Sequence, residues 1–221
     1  DASVVGIDQR ECLWARTGAA VLDATIPGIT SYITKDEFYE NRRVDMNYTF
    51  KEKFLEILKE VSTVSYMPIS VGGKIRSFED ARDRILNGAE KVVLNYLTFN
   101  NIKEIEKIIK NFGSQAVIAS IDYTLDIDNK HKIVMSGEKI RDIDPIIHCK
   151  MLSEVGVGEI FINSIDRDGK KNGYDIEFLA KFCEKINKPV IVCGGAGSWE
   201  DMYDVQSKTA CDGVAAANIF H

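Results

Sequence analysis

One stretch of this chain is written twice. Pro68-Ile-Ser-Val-Gly-Gly-Lys-Ile-Arg-Ser-Phe-Glu-Asp80 is echoed by Pro189-Val-Ile-Val-Cys-Gly-Gly-Ala-Gly-Ser-Trp-Glu-Asp201. Each copy is a short apolar run, a glycine pair and a Ser-aromatic-Glu-Asp start to a helix. A second short strand follows, closing on Asn95 in the first copy and Asn218 in the second. From Gly72 to Gly194 the offset is 194 − 72 = 122 residues, about four βα units at roughly 30 residues each. Two halves of four units make eight parallel strands, the number that closes a barrel. The alternative is two unrelated strand-glycine-helix units, which any α/β protein contains. The shared order of strand, glycines, cap and terminal Asn argues for duplication.

The rest of the chain has the same rhythm. Apolar strands are expected at 67–71, 91–95, 116–122, 159–163, 189–192 and 213–217, with helices at 54–61, 78–87, 102–112, 143–155, 176–186 and 199–207. Apolar strands alternating with amphipathic helices mean a parallel sheet covered by helices. Residues 123–143 read as a longer loop with a small hairpin around Asp128-Asn129. Ahead of Pro68 the repeat requires two strands, and only Ala19-Ala-Val-Leu-Asp23 reads as one. Residues 24–53 read as a long loop or an insertion, and the chain reaches His221 where a last covering helix is expected to start. The expected architecture is therefore a single (βα)8 TIM-type barrel domain over 1–221, built from two half-barrel repeats. Its first part, 1–53, is irregular, its regular units fill 54–221, and the last helix is missing.

Composition narrows the function. A chain of 221 residues, 45% hydrophobic, can hold one sizeable core. Its net charge of −6 argues against a nucleic-acid or anionic-membrane partner. It leaves phosphate ligands open, because main-chain amides at helix starts bind them without side-chain charge. The five cysteines include no CxxC pair and sit mostly among apolar neighbours, as expected of reduced thiols. With no long apolar run and no signal-like start, the expectation is a soluble cytoplasmic protein. The three histidines have no metal-ligand spacing, so neither a metal nor another cofactor is expected.

The glycine loops at 72–73 and 194–197 each follow a strand and precede a helix, a place where a phosphate can approach the backbone. Ser77 and Ser198 are placed to cap those helices. Asn163-Ser-Ile-Asp-Arg-Asp-Gly169 and the following Lys170-Lys-Asn-Gly-Tyr-Asp175 bring charge and glycines to a strand end. That is active-site material in a barrel, or a polar turn with Asp175 starting a helix. Asp122 ends its strand and is either a general acid–base group or a solvated strand end. Lys91 and Glu159 open their strands and belong to the opposite face, where ordinary surface charge is the simplest reading.

Together, Val71-Gly-Gly-Lys-Ile-Arg-Ser77, Ile121-Asp122, Ser164-Ile-Asp-Arg-Asp-Gly169, Gly173-Tyr-Asp175, Cys193-Gly-Gly-Ala-Gly197 and Ala215-Ala-Ala-Asn-Ile-Phe-His221 resemble the cyclase subunit of imidazole glycerol phosphate synthase and its close paralogues. The likeness runs in order from about Val44 to His221. It implies a lyase/cyclase of amino-acid (histidine) biosynthesis, a small-molecule substrate with a phosphate at each end, and a glutaminase partner that feeds ammonia into the barrel. It further implies that Asp122 is one of two catalytic carboxylates. Asp23, in Val21-Leu-Asp-Ala24, is the candidate for the other, with a spacing that suits strand two better than strand one. Gly73 and Asn95 correspond to a first phosphate site. Asp168, Gly169, Gly195, Ala217 and Asn218 correspond to a second, and Lys91 and Glu159 to a charged ammonia gate. Lys74 stands where the family usually has a third glycine, and Asn218 where it often has Ser. Both departures look more like paralogues that assist amidotransferases acting on surface-polysaccharide sugars. A catalytically silent docking barrel is the remaining alternative.

Overall fold

The computed structural model describes residues 4–6, 12–15, 46–135, 139–216 and 219. Strands β1 (Val4–Gly6) and β2 (Cys12–Ala15) precede helix α1 (Met46–Val64). Then come β3 (Ile69–Gly72), α2 (Phe78–Leu86), β4 (Lys91–Leu94), α3 (Tyr96–Asn100) and α4 (Ile102–Phe112). After these follow β5 (Val117–Leu125), β6 (His131–Met135), β7 (Lys139–Arg141) and α5 (Pro145–Val155). The chain continues through β8 (Glu159–Ser164), α6 (Ile176–Lys185), β9 (Val190–Cys193), α7 (Trp199–Lys208) and β10 (Gly213–Val214).

Strands β3, β4, β5, β8, β9 and β10 lie side by side and parallel, in that order. With helices between them, they are the curled parallel sheet of a TIM-type α/β barrel. At the β3 edge, β2 pairs antiparallel with β3, and β1 with β2. The described strands of the first part, β1 and β2, are therefore antiparallel where the repeat requires parallel ones. The strand expected at Ala19–Asp23 lies outside the described residues.

Local chemistry explains the helix boundaries. Asp144 caps α5 by accepting from the Ile146 and Ile147 amides, with Pro145 in the first turn, and Gly156 ends the helix at φ 100°. Ser77 and Ser198 accept from the Asp80 and Asp201 amides, so the expected caps form in both copies. Helix α4 turns Ile105 and Ile108 inward and its charges outward.

Strand alternation divides the apolar side chains into two layers. Val92, Leu94, Val117, Ala119, Ile121, Ile160, Ile162, Val190 and Val192 belong to a large core shared with the helices. Val93, Ile118, Phe161, Cys193 and Ala215 form a separate cluster on the other face of the sheet, the barrel interior.

Three sequence expectations need correction. Residues 46–53, read as loop, are the first turns of α1, which runs on into the expected helix. The segment after Asp122 forms the expected hairpin at Asp128-Asn129 but is longer and more ordered than a loop: β5 continues to Leu125 and folds back as β6, in register Asp122↔Val134 to Leu125↔His131. Asn129 makes the turn at φ 57°.

The third is the register of the repeat. Strand starts give 190 − 69 = 121 and caps give 198 − 77 = 121, so Gly72 matches Cys193 rather than Gly194. Backbone conformation agrees. Gly73 and Gly194 have similar φ, 87° and 94°, and Lys74 and Gly195 are both at positive φ, 50° and 113°. Lys74 therefore holds a left-handed position that glycine fills in the second copy.

Gly195→Ala is expected to cost about 2 kcal/mol or more, because a Cβ there meets the Gly173 carbonyl at an unfavourable φ. Lys74→Gly is expected to leave stability unchanged or raise it by up to about 1 kcal/mol, relief of left-handed strain offsetting glycine's unfolded freedom. Urea denaturation of both variants checks the pair.

Candidate functional site

Parallel pairing aligns the C-terminal ends of β4, β5 and β8. Asp122 on β5 lies opposite Asn163 on β8. The Asn163 amide donates to one Asp122 oxygen at 3.2 Å, and the Asn95 amide, just past β4, donates to the other at 3.2 Å. The Asn95 amide also donates to the Ser120 carbonyl at 3.0 Å. Three adjacent strand ends thus hold one carboxylate in a fixed plane.

Loss of solvent pushes the Asp122 carboxyl above the ordinary carboxylate range. The Asn163 and Asn95 amides oppose that push, while the nearby Asp168 charge adds to it. Asp168 sits at the exposed rim of the β8–α6 loop and is raised too, mainly by desolvation, against a bond from the Gly169 amide. A buried carboxylate raised in this way, with a second carboxylate in electrostatic range, suits proton transfer.

The β8–α6 loop is tightly built. The Asp168 amide donates to the Ser164 carbonyl at 2.9 Å, and Gly169 turns the chain at φ 74°. Asp166 accepts from the Thr124 hydroxyl at 2.8 Å and from the Leu125 amide at 2.7 Å, tying this loop to the β5–β6 hairpin. His131 on β6 meets Asp175 at 3.0 Å, and Asp175 also caps α6. The Gly173 amide donates to the Gly195 carbonyl at 2.8 Å, joining this loop to the one after β9.

At the other end of the sheet, Lys91 and Glu159 form a nearly buried ion pair across β5. Side-chain alternation places Lys91, Val93 and Asn95 on one face of β4, and Glu159, Phe161 and Asn163 on the same face of β8. Ion pair, apolar interior and Asp122 site therefore occupy one side of the sheet in succession.

The structure brings Asn95 and Asp122 into contact and Asp168 into electrostatic range of Asp122. Gly73, Gly169 and Gly195 lie on loops at the same end, and Lys91 and Glu159 at the opposite end. Asp23, Ala217 and Asn218 lie outside the described residues. Asn163 and Asp166 lie in the Asn163–Gly169 stretch that the sequence marks as active-site material, although neither has a role of its own there. Asn163 is detectable in principle, because the paired strands put it level with Asp122. The partners of Asp166, Thr124 and Leu125, lie in the part of the segment after Asp122 that reads as loop ahead of its small hairpin.

Among the described residues, no cluster of three or more His, Cys, Asp or Glu could hold a metal. Cys149, Cys183, Cys193 and Cys211 are buried free thiols. No helix among the described residues is long and apolar enough to cross a membrane.

Polar groups and glycine loops gathered at the C-terminal ends of parallel strands define a TIM-type barrel enzyme. The profile of the family described as "Histidine biosynthesis protein" matches residues 37–221. Imidazole glycerol phosphate synthase subunit HisF of Chlorobium phaeovibrioides is 35% identical over 221 residues, covering 95% of this chain and 88% of that protein. The subunit of the same name from Saccharolobus solfataricus is 37% identical over 171 residues, 77% of this chain and 68% of that protein. The chain belongs to the histidine biosynthesis protein family and is an enzyme of the imidazole glycerol phosphate synthase type.

Removing one partner of the Lys91–Glu159 pair, as in Glu159→Gln, is expected to cost about 3–5 kcal/mol. Replacing both by apolar residues should cost much less, as a denaturation double-mutant cycle will show. A carboxylate raised in the folded state favours folding only while protonated, so its contribution fades as pH rises through that raised value. Asp122→Asn is therefore expected to gain stability relative to the parent as pH rises from the ordinary carboxylate range toward neutral. Thermal unfolding at stepped pH reads this directly.

Proposed function

We propose that this chain is the cytoplasmic synthase/cyclase subunit that takes ammonia from a partner glutaminase and uses it on a doubly phosphorylated aminoimidazole carboxamide ribonucleotide precursor. The products are imidazole glycerol phosphate and an aminoimidazole carboxamide ribonucleotide. The observation that carries this reading is the position of Asp122, held by two amides at the mouth and in line with the Lys91–Glu159 pair across an apolar interior.

In this reading Asp122 moves protons during ammonia addition and ring closure, with Asp23 as the second carboxylate. Burial raises its pKa, the direction that favours holding and giving up a proton. Gly73 and Asn95 hold one phosphate. Both side-chain amide hydrogens of Asn95 are used on Ser120 and Asp122, so its phosphate contact falls to the main chain. Asp168, Gly169, Gly195, Ala217 and Asn218 surround the other phosphate. Holding the substrate at both ends contributes orientation, which can lower a barrier by up to roughly 7–11 kcal/mol. Lys91 and Glu159 meet ammonia at the glutaminase-facing end.

A second reading keeps the barrel and changes the substrate to a sugar derivative aminated for a surface polysaccharide. Lys74 favours it, because a cation replaces glycine in the first phosphate loop. Purified chain should turn over the imidazole precursor with added ammonia, and Asp122→Asn should lower kcat by a factor of about 100 or more. Undiminished turnover in the variant removes Asp122 from the chemistry. Turnover only of the sugar substrate selects the second reading, and turnover of neither leaves a docking barrel.

A further inference from the structure

The two copies of the repeat support their glycine loops differently. In the second copy, the loop after β9 is held by its neighbour through the Gly173 amide on the Gly195 carbonyl. In the first, the support comes from within the unit. Arg84, near the end of α2, is buried, yet donates to the Gly73 carbonyl at 2.8 Å and to the Asp80 carbonyl at 3.0 Å. Its guanidinium lies 5.6 Å from the Phe54 ring of α1. Lys51 of α1 meets Asp80 at 3.1 Å and Asp83 at 2.9 Å, which fixes α1 and α2 against each other.

The matching position of α7, by the 121-residue register, is Val205, fully buried. An apolar side chain therefore satisfies the packing at this place. Burying a guanidinium opposes folding by several kcal/mol before its hydrogen bonds offset the lost hydration. The charge at Arg84 therefore requires a reason other than packing.

We propose that Arg84 is a positioning residue for the first phosphate loop. The Gly73–Lys74 peptide is trans, so its N–H points opposite to its C=O. Arg84 draws the carbonyl toward α2, which turns the Lys74 N–H away from α2 and toward the ligand side of the loop. The positive charge behind the carbonyl also polarises that peptide and strengthens its N–H as a donor. This bracing lets Lys74 keep a left-handed conformation where the second copy has glycine. The inference rests on the reading of the Gly73 loop as a phosphate site.

The test is a titration of the whole chain with inorganic phosphate, followed by amide NMR shifts at Lys74 and at Gly195. Wild type should show saturable shifts at both. Arg84→Met should weaken binding about tenfold at Lys74, the loss of one hydrogen bond to a charged group, and leave Gly195 within about twofold. Arg84→Lys, which keeps the charge and a donor, should fall between the two and serves as the deciding variant if Arg84→Met is poorly folded. Wild-type affinity at Lys74 in either folded variant overturns the role of Arg84, as does equal weakening at both loops. No shift at Lys74 in wild type overturns the phosphate reading itself.

Discussion

The parallel register of β4, β5 and β8 is the constraint on which the rest depends. It sets Asp122 level with Asn163 and within reach of Asn95, so three strand ends share one carboxylate. Because side chains alternate along a strand, the same register sends Lys91 and Glu159 to the other end of the same face. Slipping β8 by one residue would turn Phe161 toward the helices and Glu159 away from Lys91. The large apolar layer between sheet and helices resists such a slip, since Ile160 and Ile162 are fully buried there. Core packing thus holds the polar groups in place without touching them.

Duplication supplies the frame, and the two copies differ where ligands are expected. Both keep the cap, the helix and a left-handed pair after the strand. The second closes its loop with Gly195 packed against Gly173, and the first uses Lys74 braced by a buried arginine. Stability is given up at both ends of the sheet. A carboxylate with a raised value at the mouth and a nearly buried ion pair at the base each carry a desolvation penalty that an apolar pair avoids. Such local conflicts with stable folding are expected at functional positions.

Much of this is legible from particular residues. Ser77, Ser198 and Asp175 announce helix starts, and the bounds of α4 follow from the spacing of Ile105 and Ile108. Asp122 stands out as a charge closing the apolar run that starts at Val117, although β5 continues past it to Leu125. The hairpin after β5 is only half visible, because its residues are polar and its order comes from Asp166 and His131 contacts with a distant loop. Arg84 is invisible, since a charged residue in an amphipathic helix ordinarily faces solvent and only the fold puts it beneath Gly73. The one-residue error in the repeat arises from matching glycines by letter, whereas backbone conformation aligns Lys74 with Gly195.

In the proposed function, the strand ends form two anion sites flanking Asp122. A crystal soaked in sulfate or phosphate tests it most directly. Two bound anions are expected at the C-terminal ends of the strands, one at the Gly73 loop beside Asn95 and one between Gly169 and Gly195. A single anion, or none, at saturating concentration would contradict it.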